Sequence, residues 1–408
     1  MRVLFLTQIV PYPPDAGPKV KTWHVLRHLA DAGHQIILVT YVRPEEDQFI
    51  PKLREVCTEV YGIPLKRSRL RDFAFMAISL FKNVPFLVER DNLPAMQEKV
   101  EELLAAGKVD IVHADQFTMA QFALYPQSCQ IRKIFDAHNA TWKIVERSVS
   151  QYPFWLRFVL KREAVLMRAY ERRVIQEYDH TFTVTSVDHD FLLSLFTQEQ
   201  QPSINRKITP IPISVDCDAI HPLPRPSGSK NIVTLGTMHY PPNADGIRWF
   251  IKEVFPLVLK DQPDAHLTVI GKNPPEDFIL EANRNPASIT VTGYVPDLVP
   301  HLSSAALIVV PVRSGGGMRV RILEAFAYGL PTVTTTTGLE GIDASISEDV
   351  LVKDTPSEFA AAVLQILHDP DLQKRLSVNG RKLAEEKYHW KSALTPIDKI
   401  YASYNNGS

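Results

Sequence analysis

The chain has 408 residues, 45% of them hydrophobic, and its 45 Lys and Arg nearly balance its 46 Asp and Glu for a formal net charge of -1. That length exceeds what a single hydrophobic core supports, so two domains are expected, and the charge balance argues against a nucleic-acid partner. The cysteines, Cys57, Cys129 and Cys217, are widely spaced and odd in number; they offer neither a disulfide framework nor a zinc spacing, which fits a reducing, cytoplasmic setting.

The first ten residues hold one basic side chain and no cleavage-like site, so they read as a strand (residues 3–9) rather than a signal peptide. No run approaches the ~20 apolar residues of a membrane span. A proline turn containing Asp15-Ala-Gly17 follows, then a helix over 20–32 with Val20, Trp23, Leu26 and Leu29 on one face, ending at Gly33. Strands are expected at 36–41, 109–113, 133–136 and 180–184, with helices at 96–105 and 155–177. Residues 72–88 are apolar and read as a core helix. A proline-punctuated stretch spans 209–228. Beyond it strands are expected at 232–235, 266–270, 288–292, 307–310 and 332–335, and helices at 243–259, 317–328, 356–368 and 371–387. Alternating strands and helices imply right-handed βαβ units and parallel sheets. The expected domains are residues 1–210 and 229–387, joined by a linker at 211–228. A last helix within 388–408 is free to pack back on the first half.

The most informative segment is 314–329, Ser-Gly-Gly-Gly-Met-Arg-Val-Arg-Ile-Leu-Glu-Ala-Phe-Ala-Tyr-Gly. It reads as a glycine loop after a strand, a helix start carrying Arg319 and Arg321, Glu324 among apolar neighbours, and a glycine stop. A second glycine turn, Gly338-Leu-Glu340-Gly341, follows the next strand. Open α/β sheets bind ligands at the carboxyl ends of their strands. Glycines let the backbone approach a ligand, and a helix N-terminus offers N–H groups and a positive dipole end. The pattern therefore points to a phosphorylated ligand. Arg319 and Arg321, two apart, diverge on a regular helix, so only one reaches the ligand unless the first turn is irregular. Glu324 is either an ion-paired structural group or a ligand group, such as an acceptor for ribose hydroxyls. In the first half, His138 lies at a strand's carboxyl end in Asp136-Ala-His-Asn139, and His113 either lines a cleft or caps the following helix.

Five segments in order, beginning Leu235-Gly-Thr-Met-His, Val269-Ile-Gly-Lys, Thr292-Gly-Tyr-Val, Pro311-Val-Arg-Ser and Pro331-Thr-Val-Thr, resemble the nucleotide-sugar domain of family 4 glycosyltransferases of the GT-B fold. The resemblance implies two Rossmann-like domains with parallel sheets facing across a cleft. It implies sugar transfer, with retention, from a UDP- or GDP-linked donor to a glycan, lipid or small-molecule acceptor, with no further cofactor and no metal. The donor residues it implies are Gly236, Gly315, Gly316, Gly317, Met318, Arg319, Arg321, Glu324, Gly338 and Glu340, with Glu324 on the ribose and an arginine near the diphosphate. From the first half it implies His138, Asp15 and Gly17 near the transferred group. Two departures stand out. Many relatives carry a second glutamate where Gly316 lies, and an Arg…Lys pair where this chain has Gly236–Asn243. An epimerase or hydrolase on the same fold, or a non-catalytic nucleotide-sugar-binding relative, therefore stays open. A dinucleotide oxidoreductase is disfavoured, because no Gly-x-Gly-x-x-Gly follows the first strand.

Asp188-His-Asp190 is better read as helix capping than as metal ligation, and Asp216-Cys-Asp218 falls in the linker. Arg157, Lys161, Arg162, Arg168, Arg172 and Arg173 crowd the 155–177 helix with Phe154, Trp155 and Phe158. This segment is either an amphipathic surface in peripheral contact with anionic lipid at the inner membrane face, or an ordinary helix whose cations pair with Glu163, Glu171 and Glu177.

Overall fold

A computed structural model describes residues 1–124, 131–224, 226, 228–238 and 240–405. The chain divides into two compact units, Met1–Ile213 joined by the chain from Ala393 onward, and Ser214–Ser392. In the first, β1 (Arg2–Thr7), β2 (Gln35–Val42), β3 (Glu59–Pro64), β4 (Ile111–Asp115), β5 (Arg132–Ala137), β6 (His180–Thr183) and β7 (Ile208–Pro210) form one sheet in the order β3-β2-β1-β4-β5-β6-β7. Its neighbouring strands all pair in parallel. β1 and β4 are buried almost throughout because helices cover both faces of such a sheet.

β3 and β7 are edge strands that the sequence does not announce. Only Ile63 of β3 is buried, so no apolar run marks it. β7 ends in Pro210, in the proline-punctuated stretch just before the expected linker; proline is tolerated at a sheet edge, where one side of the strand needs no N–H donor. The first helix, Gly17–Asp31, starts three residues ahead of expectation, since Pro18 fits a first turn whose N–H groups are unpaired anyway. The last helix, Thr395–Asn405, belongs to this unit: Tyr401 is buried with its hydroxyl 2.8 Å from His113 Nδ1, and Asp398 meets His28 at 2.8 Å.

His180 on β6 lies in the interior against Thr209 and Phe182. Burial pushes its imidazole down to about 4. The folded form thus resists a proton that the unfolded chain accepts near 6.5, so stability is complete above that value and is lost as pH falls toward 4. The loss should reach about 2–3 kcal/mol. His180→Gln should flatten it, seen by comparing urea midpoints of both proteins at about pH 7.5 and about pH 4.5. An unchanged pH dependence in the variant would show that His180 does not set it.

In the second unit β8 (Asn231–Leu235), β9 (His266–Ile270), β10 (Ile289–Gly293), β11 (Ala305–Val310), β12 (Thr332–Thr334) and β13 (Leu351–Val352) form a parallel sheet ordered β10-β9-β8-β11-β12-β13. The helix expected over 243–259 is three pieces: Pro241–Trp249, a wider-wound turn Phe250–Val254, and Phe255–Asp261. Pro256 lacks the N–H that would continue the ladder, which accounts for the break. In each unit the strand order reverses direction once, between β1 and β4 and between β8 and β11. Those are the points where doubly wound sheets open a crevice at the strands' carboxyl ends.

Candidate functional site

In the second unit the chain leaves β11 at Pro311 and runs through the glycine loop to a helix spanning Val320–Ala327. Gly315 and Gly317 have φ of 90° and 87°, a left-handed conformation costly for other residues. Close approach also fixes Gly246, since a Cβ there would lie 2.1 Å from the Pro311 carbonyl oxygen. It thus lets the 241–249 helix seat against the start of the loop. Arg313 and Asp245 clamp the same contact with a paired hydrogen bond at 3.0–3.2 Å.

The helix begins later than the expected 317, and this changes the geometry of the two arginines. Arg319 is the residue before the first turn, with extended backbone (φ −89°, ψ 94°). Its guanidinium folds back on the loop, donating to the carbonyls of Gly316 (2.8 Å) and Ser314 (3.4 Å). Burial lowers its pKa, while Tyr240 and Glu340 act to raise it; an arginine stays charged in either case. Its Nε is buried without a hydrogen-bond partner. Arg321, the second residue of the helix, donates to Glu324 Oε2 at 2.6 Å, and both remain partly exposed. Glu324 also borders a small cavity of about 50 Å³ with Leu235, Leu298 and Tyr328. Met318 is buried under the loop.

The second glycine turn is equally constrained. A Cβ on Gly338 would lie 2.1 Å from Thr334 Oγ1, and its N–H donates to Thr335 Oγ1. Glu340 is half-buried and its charge acts on Arg319. Gly236 stands at the end of β8, but its N–H already donates to the Ile270 carbonyl, so it offers packing space and not a donor. Sequence reasoning singled out neither Tyr240, whose hydroxyl faces Gly315 and Arg319, nor Lys272, which follows β9 with its ammonium 4.4 Å over the Tyr294 ring. Both sit in quoted motif segments, and their place at strand ends was the available signal.

In the first unit the strand ends carry a buried polar network. Asp136 of β5 is ion-paired with Lys21, and both are inaccessible to solvent. Asp115 of β4 accepts from Thr7 (3.0 Å), from Thr22 (2.9 Å) and from His138 Nε2 (2.7 Å). His138 is thereby held in one orientation. Burial opposes ionisation of Asp136, yet Lys21, His138 and His113 together hold its carboxyl below the usual carboxylate range. Asp115, Asp136 and His138 bring ligand atoms within 4.8 Å of one another. The Lys21 ammonium already supplies the positive charge a cation would bring. Lys21 and Asp115 carried no expectation of their own.

His113 neither lines a cleft nor caps a helix. It is inside β4, fully buried, stacked on Phe5 at 4.5 Å and bonded to Tyr401, which corrects both readings. Gly17 opens the first helix, and Asp15 is half-exposed with Lys19 at 3.4 Å. Asp188 serves a helix start: Thr185 Oγ1 accepts its N–H at 2.9 Å, and its carboxylate holds Thr185 and the N–H of Ala140. Asp216 accepts from the N–H groups of Asp218 and Ala219, and Asp218 pairs with Lys391.

Two doubly wound parallel units with a glycine loop at the second switch point define a GT-B architecture, and known structures agree. Sucrose-phosphate synthase from Thermosynechococcus elongatus superposes with a TM-score of 0.70 at 17% identity over the whole of both chains. Anabaena Alr3699/HepE, solved in complex with UDP and glucose, gives 0.67 at 11% identity over 99% of this chain and 100% of that one. Residues 16–201 match the family described as glycosyl transferase 4-like domain, and residues 229–369 match glycosyl transferases group 1. The chain belongs to the family 4-like glycosyltransferases of the GT-B fold and is a glycosyltransferase. Among curated relatives, glycogen synthase of Mycobacterium tuberculosis is 22% identical over 100% of this chain and 96% of its own length. No described helix is long and apolar enough to cross a membrane.

Proposed function

We propose that the second unit holds a UDP- or GDP-linked sugar and that the enzyme moves the sugar, with retention, to a glycan, lipid or small-molecule acceptor. The observation that carries this reading is the charge arrangement on the loop after β11. Arg319 is folded over the loop carbonyls with an unpartnered Nε, and two residues further Arg321 pairs with Glu324. A diphosphate approaching the loop meets both guanidinium groups, and Glu324, turned from Arg321, accepts ribose hydroxyls. The Gly315–Gly317 backbone, Met318, Gly338 and Glu340 shape the remainder of the pocket.

The bond from the sugar's anomeric carbon to the diphosphate oxygen breaks, and its electron pair stays on the diphosphate. The acceptor hydroxyl oxygen bonds to that carbon and releases its proton. Stabilising the leaving diphosphate is then the main catalytic task, and it falls on Arg319, Arg321 and the helix N-terminus rather than on a metal. His138, Asp15 and Gly17 are the first unit's proposed contribution to the transfer step. Gly316 stands where relatives place a carboxylate, and its carbonyl instead fixes Arg319.

A thermal-shift panel of UDP, GDP and ADP with their sugar conjugates tests the donor reading. At about one hundred times Kd the correct nucleotide stabilises by ~2.7 kcal/mol, a Tm rise of a few degrees. A panel in which no nucleoside diphosphate raises Tm would overturn it. Product analysis with and without acceptor then separates transfer from hydrolysis or epimerisation.

A further inference from the structure

Helix Arg69–Lys82 reads from sequence as part of a core segment, and the structure corrects this: Ser79 is its buried residue. Leu70, Phe73 and Phe81 are 83%, 75% and 93% exposed. An apolar stretch has the same periodicity whether it faces a core or faces outward, so the sequence did not separate the two. The helix Phe154–Glu177 repeats the feature, with Phe154, Trp155 and Phe158 at 83%, 61% and 79% and Val165 exposed beyond them. Phe154, Phe158 and Val165 recur at the spacing of one helical face. The two helices are tied together where Arg162 donates to the Ser79 carbonyl at 3.1 Å, and Glu163 accepts the N–H of Phe86, just beyond the first of them, at 2.7 Å.

Cations predominate beside these apolar faces, with the acids Asp72 and Glu146 among them. Lys66, Arg69, Arg71, Lys161, Arg168 and Arg172 are exposed. Of the acids expected to pair along the 154–177 helix, Glu163 pairs with Arg162 and accepts the Phe86 N–H, and Glu177 pairs with Arg173. Glu171 is buried and accepts the N–H groups of Thr141 and Trp142 instead. Beside the helix lies a cavity of about 590 Å³ lined by Trp142, Glu146, Arg157, Lys161 and Arg168.

We propose that these two helices dock the first unit on the surface of an anionic lipid bilayer. The exposed Phe and Trp rings lie at the acyl boundary, the Lys and Arg lie among headgroup phosphates, and the cavity beside Arg157 and Lys161 takes a headgroup. Exposed aromatic side chains bordered by cations are the composition of an interfacial helix. Charge complementarity selects a lipid surface over a second copy of the chain, because a two-fold contact through this face would oppose like charges.

The test is co-sedimentation of the whole protein with phosphatidylcholine vesicles, with and without about one third phosphatidylglycerol. The expected result is pelleting with the anionic vesicles, weakened about tenfold or more on neutral vesicles and at about 0.5 M salt. Phe81→Ser/Phe154→Ser/Phe158→Ser and, independently, Arg71→Glu/Lys161→Glu should each lower binding about tenfold or more, with Tm unchanged because the side chains are exposed. The proposal is overturned by no pelleting with anionic vesicles, by equal pelleting with neutral ones, or by well-folded variants that bind like the parent. It is also overturned by a solution dimer that the serine variant dissolves, which would make a second copy the occupant.

Discussion

Arg321→Ala should lower kcat of sugar transfer by about 10²–10³-fold, with a smaller change in donor KM. Charge on the leaving diphosphate develops in the transition state, and removing one preorganised donor from such a site costs that much. Glu324→Ala should split the other way. In the proposed donor site Glu324 holds the ribose equally in ground and transition states, so its loss should raise donor KM roughly ten- to a hundredfold while kcat changes less. The 2.6 Å pair between the two side chains sharpens the comparison. The two side chains share this contact, so the double variant should lose less than the product of the single effects. Initial rates with donor titrated at fixed acceptor would measure all three. Near-normal turnover by both single variants would remove this segment from the site.

Lys21→Met should destabilise the protein by about 3–5 kcal/mol, because it strands the Asp136 carboxylate in a solvent-free interior. Lys21 and Asp136 are both inaccessible, and Asp136 Oδ2 accepts no hydrogen bond, with His113 3.6 Å from it. Adding Asp136→Asn should recover much of the loss, since a neutral amide no longer requires a counter-charge. Urea unfolding of the three proteins at neutral pH decides this through their midpoints. A Lys21→Met midpoint equal to the parent's would show that the pair contributes nothing. The same network gives the protein an acid limb. With the Asp136 carboxyl held below its ordinary range despite burial, its stabilisation is complete above the unfolded value of about 4. It is lost as pH falls below that value towards the folded one.

The central strands were legible because each is a short apolar run, as in Val3–Leu6 and Leu307–Val310, and burial on both faces imposes that pattern. Edge strands β3 and β7 were not, because β3 buries only Ile63 and β7 is three residues ending in proline, so neither shows an apolar run. The glycine loop between β11 and the following helix was legible as a loop at a strand's carboxyl end, since a glycine run there breaks both strand and helix periodicity. The late helix start was not. Arg319 leaves the helix because its side chain bonds loop carbonyls that no propensity scale registers. Lys21 was hidden for a related reason. It lies on a helix face next to Val20 and Thr22, and only the fold brings Asp136 to it across a sequence separation of 115 residues.

The Thr395–Asn405 helix has a consequence for how the molecule is made. Tyr401 closes over His113, and Asp398 meets His28, so the first unit holds a piece that follows the entire second unit in the chain. During synthesis the seven strands emerge early, but their final contact waits until residue 401 has left the ribosome. A fragment cut at Ile213 therefore exposes the buried His113 surface, and the nascent first unit must persist in that unfinished form while about 180 further residues are translated, for some tens of seconds at most.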